Sequence, residues 1–257
     1  MIRCLRRCSC LVFFIVLVSL SATYAQNKAA LSDEQVKERL SFLENALHSA
    51  QPGAKVWWYG WISAYSAGAI VQVSLAGAHW NDFKWEGIPP RKVSDRDFAE
   101  DMLVGGVTCA LGAGGLLINP FIPAYGPNRL RHMPEGTPEE RRIKLLKAEE
   151  ILRKCARREK QGRGMLTHML NLGVNATAGL VTAVGFHRPW HDGLITFATN
   201  EAVSLLNIYT QPRRAIRDLR SYEAGNLGGQ GTNIERPPGL KWVFSIYPGG
   251  FTVKIQF

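Results

Sequence analysis

The chain has 257 residues, a formal charge of +10 and a mean hydropathy of −0.08. Of its 5 cysteines, Cys4, Cys8 and Cys10 sit at the very start, and the remaining Cys109 and Cys155 make no disulfide framework, so the fold must rest on packing. The length suits one domain with tails, and the basic balance brings no nucleic-acid motif with it, so nucleic acid is not expected as a partner.

Residues 1–25 read as a signal peptide. Arg3, Arg6 and Arg7 give a positive start, Leu11 to Leu20 form a short apolar core, and the small residues Thr23 and Ala25 mark a cleavage site after Ala25. The early cysteines precede that core, whereas a lipidated cysteine must follow it. The chain is therefore expected to be exported to the envelope of a bacterial-type cell and to associate with membrane from the periplasmic side.

Residues 26–222 read as a helical, membrane-associated domain. An amphipathic helix is expected over 31–50, with Ser32 as N-cap and Gln35 completing a capping box. Val36, Leu40, Leu43 and Leu47 share its apolar face, and Pro52-Gly53 is expected to end it. Four apolar runs follow, at 56–78, 102–128, 165–186 and 193–212, and the only charged side chain in them is Glu201. The first opens with Trp57, Trp58, Tyr59, Trp61 and Tyr65, an arrangement suited to a membrane interface.

Between the second and third runs, Thr137-Pro138-Glu139-Glu140 starts a charged helix that should reach about Lys160. Leu145, Ala148, Leu152 and Cys155 give it a narrow apolar stripe. Glu140–Lys144 and Glu150–Lys154 are expected ion pairs along it. Either the helix is solvated and docked by that stripe, or its basic face rests on anionic lipid headgroups.

Residues 223–239 read as a turn-rich flexible linker, and 240–257 as a C-terminal β-hairpin. An isolated hairpin is barely stable, so it should lean on the helices or on an envelope partner protein's sheet edge. The chain lacks the many alternating strands of a membrane barrel. The expected fold class is mainly α: two Gly/Ala-rich apolar helical hairpins, an amphipathic basic helix and the terminal β-hairpin.

An internal echo supports two such hairpins. Residues 66–82 and 177–192 both open on a hydroxylated residue, Ala and Gly, and both reach Trp-x-Asp, at Trp80 and Trp190. A duplicated hairpin would explain this. Small residues recur at Gly60, Ala64 and Gly68, at Gly106, Ala110 and Gly114, and at Gly179 and Ala183, which lets helix backbones approach closely.

Topology is less consistent. Four spans after a cleaved signal would leave residues 129–163, with 12 Lys and Arg, outside, and 79–101, with 4, inside. That runs against the positive-inside rule. The hairpins then translocate a charged segment, dip in from the periplasmic side, or form a buried core instead.

Candidate chemistry centres on the polar residues of the third and fourth runs and of the turn between them. His168, Asn171 and Asn175 share one helix face. Asn200 and Glu201 lie on the next helix, Glu201 about 13 Å in from Asp192. A tight antiparallel hairpin would bring Asn175 to Glu201 and leave His168 deeper. Two readings stand side by side: interhelical hydrogen bonds that fix register, or a small-molecule or proton-handling site. In the second, His168 and Glu201 are the catalytic candidates, and Asn171, Asn175 and Asn200 bind ligand. His187, His191 and Asp192 are weak metal candidates without a further well-spaced ligand, so no metal and no cofactor is expected. Asn175-Ala176-Thr177 matches a glycosylation sequon in an unsuitable apolar setting. No catalytic elbow, phosphate loop or dinucleotide fingerprint is present. The favoured reading is a non-enzymatic envelope protein bound to membrane lipid and partner proteins. The alternative is an envelope enzyme or transport component.

Overall fold

The structure is a computed structural model that describes residues 31–227 and the backbone of 241–247 and 250–256. The expected signal segment 1–25 and the linker from 228 onward lie outside the described residues. The described chain is mainly helical, with short antiparallel strand pairs.

Helix α1, Asp33–His79, begins as expected: Ser32 accepts from the backbone of Gln35, and the Gln35 side chain accepts in return from Ser32. It does not stop at Pro52 but runs through it. Proline removes one donor, so the His48 carbonyl loses its helical partner. Both His48 and Pro52 face outward, where water can satisfy that carbonyl, while Leu47 and Ala54 on either side are buried. Packing on both flanks outweighs the broken bond.

Strands β1, Phe83–Glu86, and β2, Arg91–Ser94, pair across the loop that follows α1. Sequence reasoning left this loop without structure. Gly87 takes φ +86° in the turn, a conformation in which a β-carbon would be strained. Helix α2, Asp97–Ile118, then runs back along α1, and a short helix α3, Ile122–Tyr125, leads into a 3-10 turn, Gly126–Arg129.

Helix α4, Pro138–Gly162, has the expected capping box between Thr137 and Glu140, with proline at its start. Its stripe of Leu145, Ala148, Leu152 and Cys155 is buried against Val36, Leu40, Leu43 and Leu47 of α1. Arg141 grips Asp33 with two hydrogen bonds, of 2.9 and 2.7 Å. The expected Glu150–Lys154 pair forms. The expected Glu140–Lys144 pair does not, because Glu140 is taken by the cap and Lys144 is buried between Glu44 and Glu135, at 2.6 Å from each. Burial alone would lower the Lys144 pKa, but these two carboxylates outweigh it and raise it.

Helix α5, Met165–Leu180, widens into a π turn at Val181–Gly185. Helix α6, Trp190–Thr210, returns beside it, and helix α7, Arg214–Glu223, closes over the α1–α4 core through Ala215 and Tyr222. Sequence reasoning assigned no helix to 214–223. At the far end, strands β3, Lys241–Tyr247, and β4, Gly250–Gln256, pair antiparallel, with Trp242 opposite Ile255 and Phe244 opposite Val253.

Two halves result. The charged half (the start of α1, α4 and α7) closes around a core. The apolar half (the rest of α1, with α2, α5 and α6) turns many large side chains outward: Ile118 is 87% exposed, Leu166 73% and Ile70 69%. Inside it the helices touch through small residues, though not all the expected ones. Gly68 meets Cys109, Gly106 meets Val73, and Gly179 meets Gly193, whereas Gly60 and Gly114 face open space.

The tryptophans also depart from expectation. Trp57 is buried and donates to the Asn207 carbonyl and Thr210 hydroxyl of α6; Trp61 shares that hydroxyl, and Trp58 donates to the Leu116 carbonyl of α2. A buried indole N–H needs a partner, and here the partners are helix ends. These rings brace the helices, while Tyr59 of the same cluster faces outward.

The contact between α5 and α6 sets a direct test. A β-carbon on Gly179 would lie 2.6 Å from the Gly193 carbonyl oxygen, while one on Gly173 meets nothing within 4 Å. Gly179→Ala should lower stability by about 1–3 kcal/mol through overpacking. Gly173→Ala should be neutral or raise it by up to about 1 kcal/mol. Thermal unfolding followed by helical circular dichroism would separate the two; equal behaviour would remove the close-contact account.

Candidate functional site

The polar residues of α5 and α6 meet in the middle of the apolar half. The Asn175 Nδ2 donates to Glu201 Oε2 at 2.8 Å and to Ser204 Oγ at 3.0 Å. Asn175 is buried, with its amide engaged, so the sequon is closed. Closer to the turn, Thr182 donates to Thr196 at 3.3 Å. The Asn200 and Asn207 Nδ2 atoms are buried without a partner among the described residues. These groups form a polar seam along the α5–α6 contact.

His168 lies deeper, as its position in the helix requires, and its ring centre sits 6.3 Å from that of Tyr209. The structure does not bring His168 to Glu201. Among the described residues neither His168 nor Asn171 makes a side-chain hydrogen bond. The seam therefore joins Asn175, Glu201 and Ser204, with Asn200 one position from Glu201 along α6, and leaves the proposed catalytic pair apart.

Of the weak metal candidates, His191 and Asp192 meet, with His191 Nε2 3.1 Å from Asp192 Oδ1, but His187 does not join them. His187 Nδ1 bonds to the Val184 carbonyl at 2.7 Å, in a left-handed backbone conformation with φ 59°. Such a conformation costs a side chain with a β-carbon about 1–2 kcal/mol, and the local ring bond offsets part of it. Asp192 is held by Arg188 at 2.8 Å, and Arg188 also reaches the Asp101 carboxylate and the Asp97 carbonyl at the start of α2. Arg188 thereby ties the α5–α6 turn to α2. No three His, Cys, Asp or Glu among the described residues are placed to hold a metal.

Sequence reasoning missed a second polar cluster, at the end of α4. Glu159 is 0% exposed and accepts from the backbone N–H of Ala215 at 3.2 Å and of Ile216 at 3.0 Å. Those are orphan donors of the first turn of α7, so a side chain from one helix caps another. Arg163 donates to the Tyr209 and Gln211 carbonyls at the end of α6, at 2.6 and 2.9 Å. Gln211 reaches back to the Glu159 carbonyl at 2.9 Å. It passes over Gly162, where a β-carbon would lie 2.1 Å from the Gln211 Oε1. The only signal in the sequence was Glu159 at a stripe position of α4, four residues past Cys155.

An open apolar cleft of about 600 Å³ lies between α2 and α5, lined by Val107, Leu111, Met169, Gly173 and their neighbours. It holds no charged side chain.

Burial raises the Glu159 pKa to about 7, from a usual 4.5, despite the lowering effect of the two backbone donors; Asp218 adds to the rise and Arg163 opposes it. The folded value lies above the unfolded one. Its stabilising contribution is thus complete below about pH 4.5 and is lost as pH rises through about 7. Glu159→Gln should flatten the dependence of stability on pH across that window, relative to the parent chain. Unfolding midpoints at pH 5 and pH 8 for both proteins check this; an unchanged difference in the variant would rule Glu159 out as the cause.

Compared with known protein families, curated proteins and solved structures, the chain matches none.

Proposed function

We propose that this is an exported, non-enzymatic helical protein of a bacterial-type cell envelope, seated in a membrane through its apolar half and associated with partner proteins. The observation that carries the reading is the outward apolar surface of α1, α2, α5 and α6 beside a charged half that closes over its own core. Scattered exposed apolar side chains are ordinary, but contiguous ones over several helices mark a membrane or a partner. Helix α2, with 22 residues, is the one helix among the described residues long and apolar enough to cross a membrane. At 1.5 Å per residue it extends about 33 Å, against about 30 Å of hydrocarbon.

In this reading the polar seam is glue. Asn175 donates to both Glu201 and Ser204 across the helix contact, which lowers the cost of placing these groups in an apolar setting. The finer architecture, two helical hairpins from one duplicated unit, draws support from the small-residue contacts in each, Gly106 with Val73 and Gly179 with Gly193. The tryptophans do not add to it: Trp80 caps the end of α1 beneath Arg96, whereas Trp190 opens α6 and is exposed. The terminal hairpin is assigned to partner capture or to docking on the helices.

The second reading, an envelope enzyme or transport component, rests on the carboxylate of Glu201 beside Asn175, with Asn171 and His168 further along the same helix face. Glu201→Gln distinguishes it. Under the structural reading the variant loses stability, and any phenotype follows its abundance. Under the catalytic one, normal abundance accompanies lost function. For the membrane reading, the expected result is that the protein stays with the membrane pellet after an alkaline carbonate wash. Release into the supernatant would overturn it.

A further inference from the structure

The charged half carries a cavity of about 300 Å³ that the polar seam and the Glu159 cluster do not touch. Its floor is Ile122, Gly126 and Ile151. Around it stand five cations, Arg129, Lys147, Lys154, Arg157 and Arg158, and a single carboxylate, Glu150. Glu150 is shared by Lys147 at 2.8 Å and Lys154 at 2.5 Å. Arg129 and Arg157 have no carboxylate partner among the described residues. Arg158 is spent on the backbone: it donates to the Asn119 carbonyl at 2.7 Å and the Pro120 carbonyl at 3.3 Å. Hydrogen bonds to carbonyl oxygens leave its full charge uncompensated. The pocket thus holds three guanidinium charges without a counterion, in a concavity with room for a phosphate and the group attached to it.

Its place in the fold narrows the ligand. The carbonyls that Arg158 holds follow directly after Ile118, the outermost residue of α2 and 87% exposed. The pocket therefore lies at the level where the apolar surface ends. Guanidinium groups match phosphate oxygens in a planar fork, and a phosphate is the anion that every glycerophospholipid presents at the boundary of the hydrocarbon.

We propose that the pocket ringed by Arg129, Arg157 and Arg158 binds the phosphate of an anionic glycerophospholipid headgroup. The proposal rests on the membrane reading above, and it assigns to the basic helix a discrete site, beyond a diffuse attraction. The two unpartnered arginines supply the attraction; Arg158 fixes the pocket against the end of α2. Lys147 and Lys154 are turned to Glu150 and contribute less.

The test uses the full chain in a non-ionic detergent. It is titrated by calorimetry with short-chain phosphatidylglycerol, with phosphatidylcholine of the same chain length, and with inorganic phosphate. Phosphatidylglycerol is expected to bind at least tenfold more tightly than phosphatidylcholine, with inorganic phosphate weaker than both. Arg129→Gln/Arg157→Gln should weaken phosphatidylglycerol binding about 25-fold, at about fivefold per arginine. Arg217→Gln/Arg220→Gln, which removes the same charge from α7 away from the pocket, should change it less than about twofold. Helix content by circular dichroism confirms that each variant is folded, and Arg157→Gln alone serves if the double variant is not. Equal loss in the two double variants, or no preference for phosphatidylglycerol, overturns the pocket. So does free phosphate binding as tightly as the lipid. The membrane reading is scored separately, by flotation of the unaltered chain with phosphatidylcholine vesicles: flotation without a headgroup preference sinks the pocket alone, and no flotation sinks both.

Discussion

The architecture hangs on the last turn of α4. There Glu159 caps the start of α7, Arg163 caps the end of α6, and Gly162 leaves room for Gln211 to cross. Four backbone groups that would otherwise be orphaned at two helix ends find partners within a few residues of one another. This is what joins a charged, water-compatible half to an apolar one. The joint is polar and buried, so it is sensitive to the protonation of Glu159, and it orders the direction in which α6 and α7 leave each other.

The apolar half obeys a different balance. Its helices cannot gain much from burying side chains that mostly face outward. They gain from close backbone approach at glycines and from a few interhelical hydrogen bonds. Asn175 with Glu201 and Ser204, Arg188 with Asp97, Asp101 and Asp192, and the indole N–H groups of Trp57, Trp58 and Trp61 do this work at different heights along the helices. Asn175 and Thr182 act as fasteners between α5 and α6, whereas His168, Asn171 and the Nδ2 atoms of Asn200 and Asn207 make no such bond among the described residues. The same placement gives Glu201 its interest, since the carboxylate accepts from the Asn175 amide with no cation bonded to it among the described residues.

The basic pocket completes a consistent vertical order. Arg158 ends α2, the cations gather just beyond it, and the tryptophans brace the same level from inside. Helix α4 is therefore both a docked helix and a charged one: its narrow stripe is spent on the core, while Arg157 and neighbouring cations remain available on the other side.

Local signals were legible from the amino acids alone. The two capping boxes, at Ser32 and Thr137, follow from one hydroxyl and one carboxylate or amide three residues apart, and both form. The faces Val36–Leu47 and Leu145–Cys155 follow from helical period, and the Asn175–Glu201 contact follows from counting residues either side of a short turn. Each depends on chemistry within one element or across one tight connection. What only tertiary structure decided was everything set by partners distant in the chain. Pro52 should have ended a helix, but two flanking cores hold α1 together across it. Lys144 was matched to Glu140 by spacing, yet Glu44 from another helix and Glu135 take it into burial. Residues 214–223 carry an apolar face at helical spacing, Ala215, Ile216, Leu219 and Tyr222, but what that face packs on, and the Glu159 carboxylate that accepts from its first turn, come from distant elements. Local spacing fixes which groups could meet; the energy of burial, which depends on the whole fold, selects which of them do.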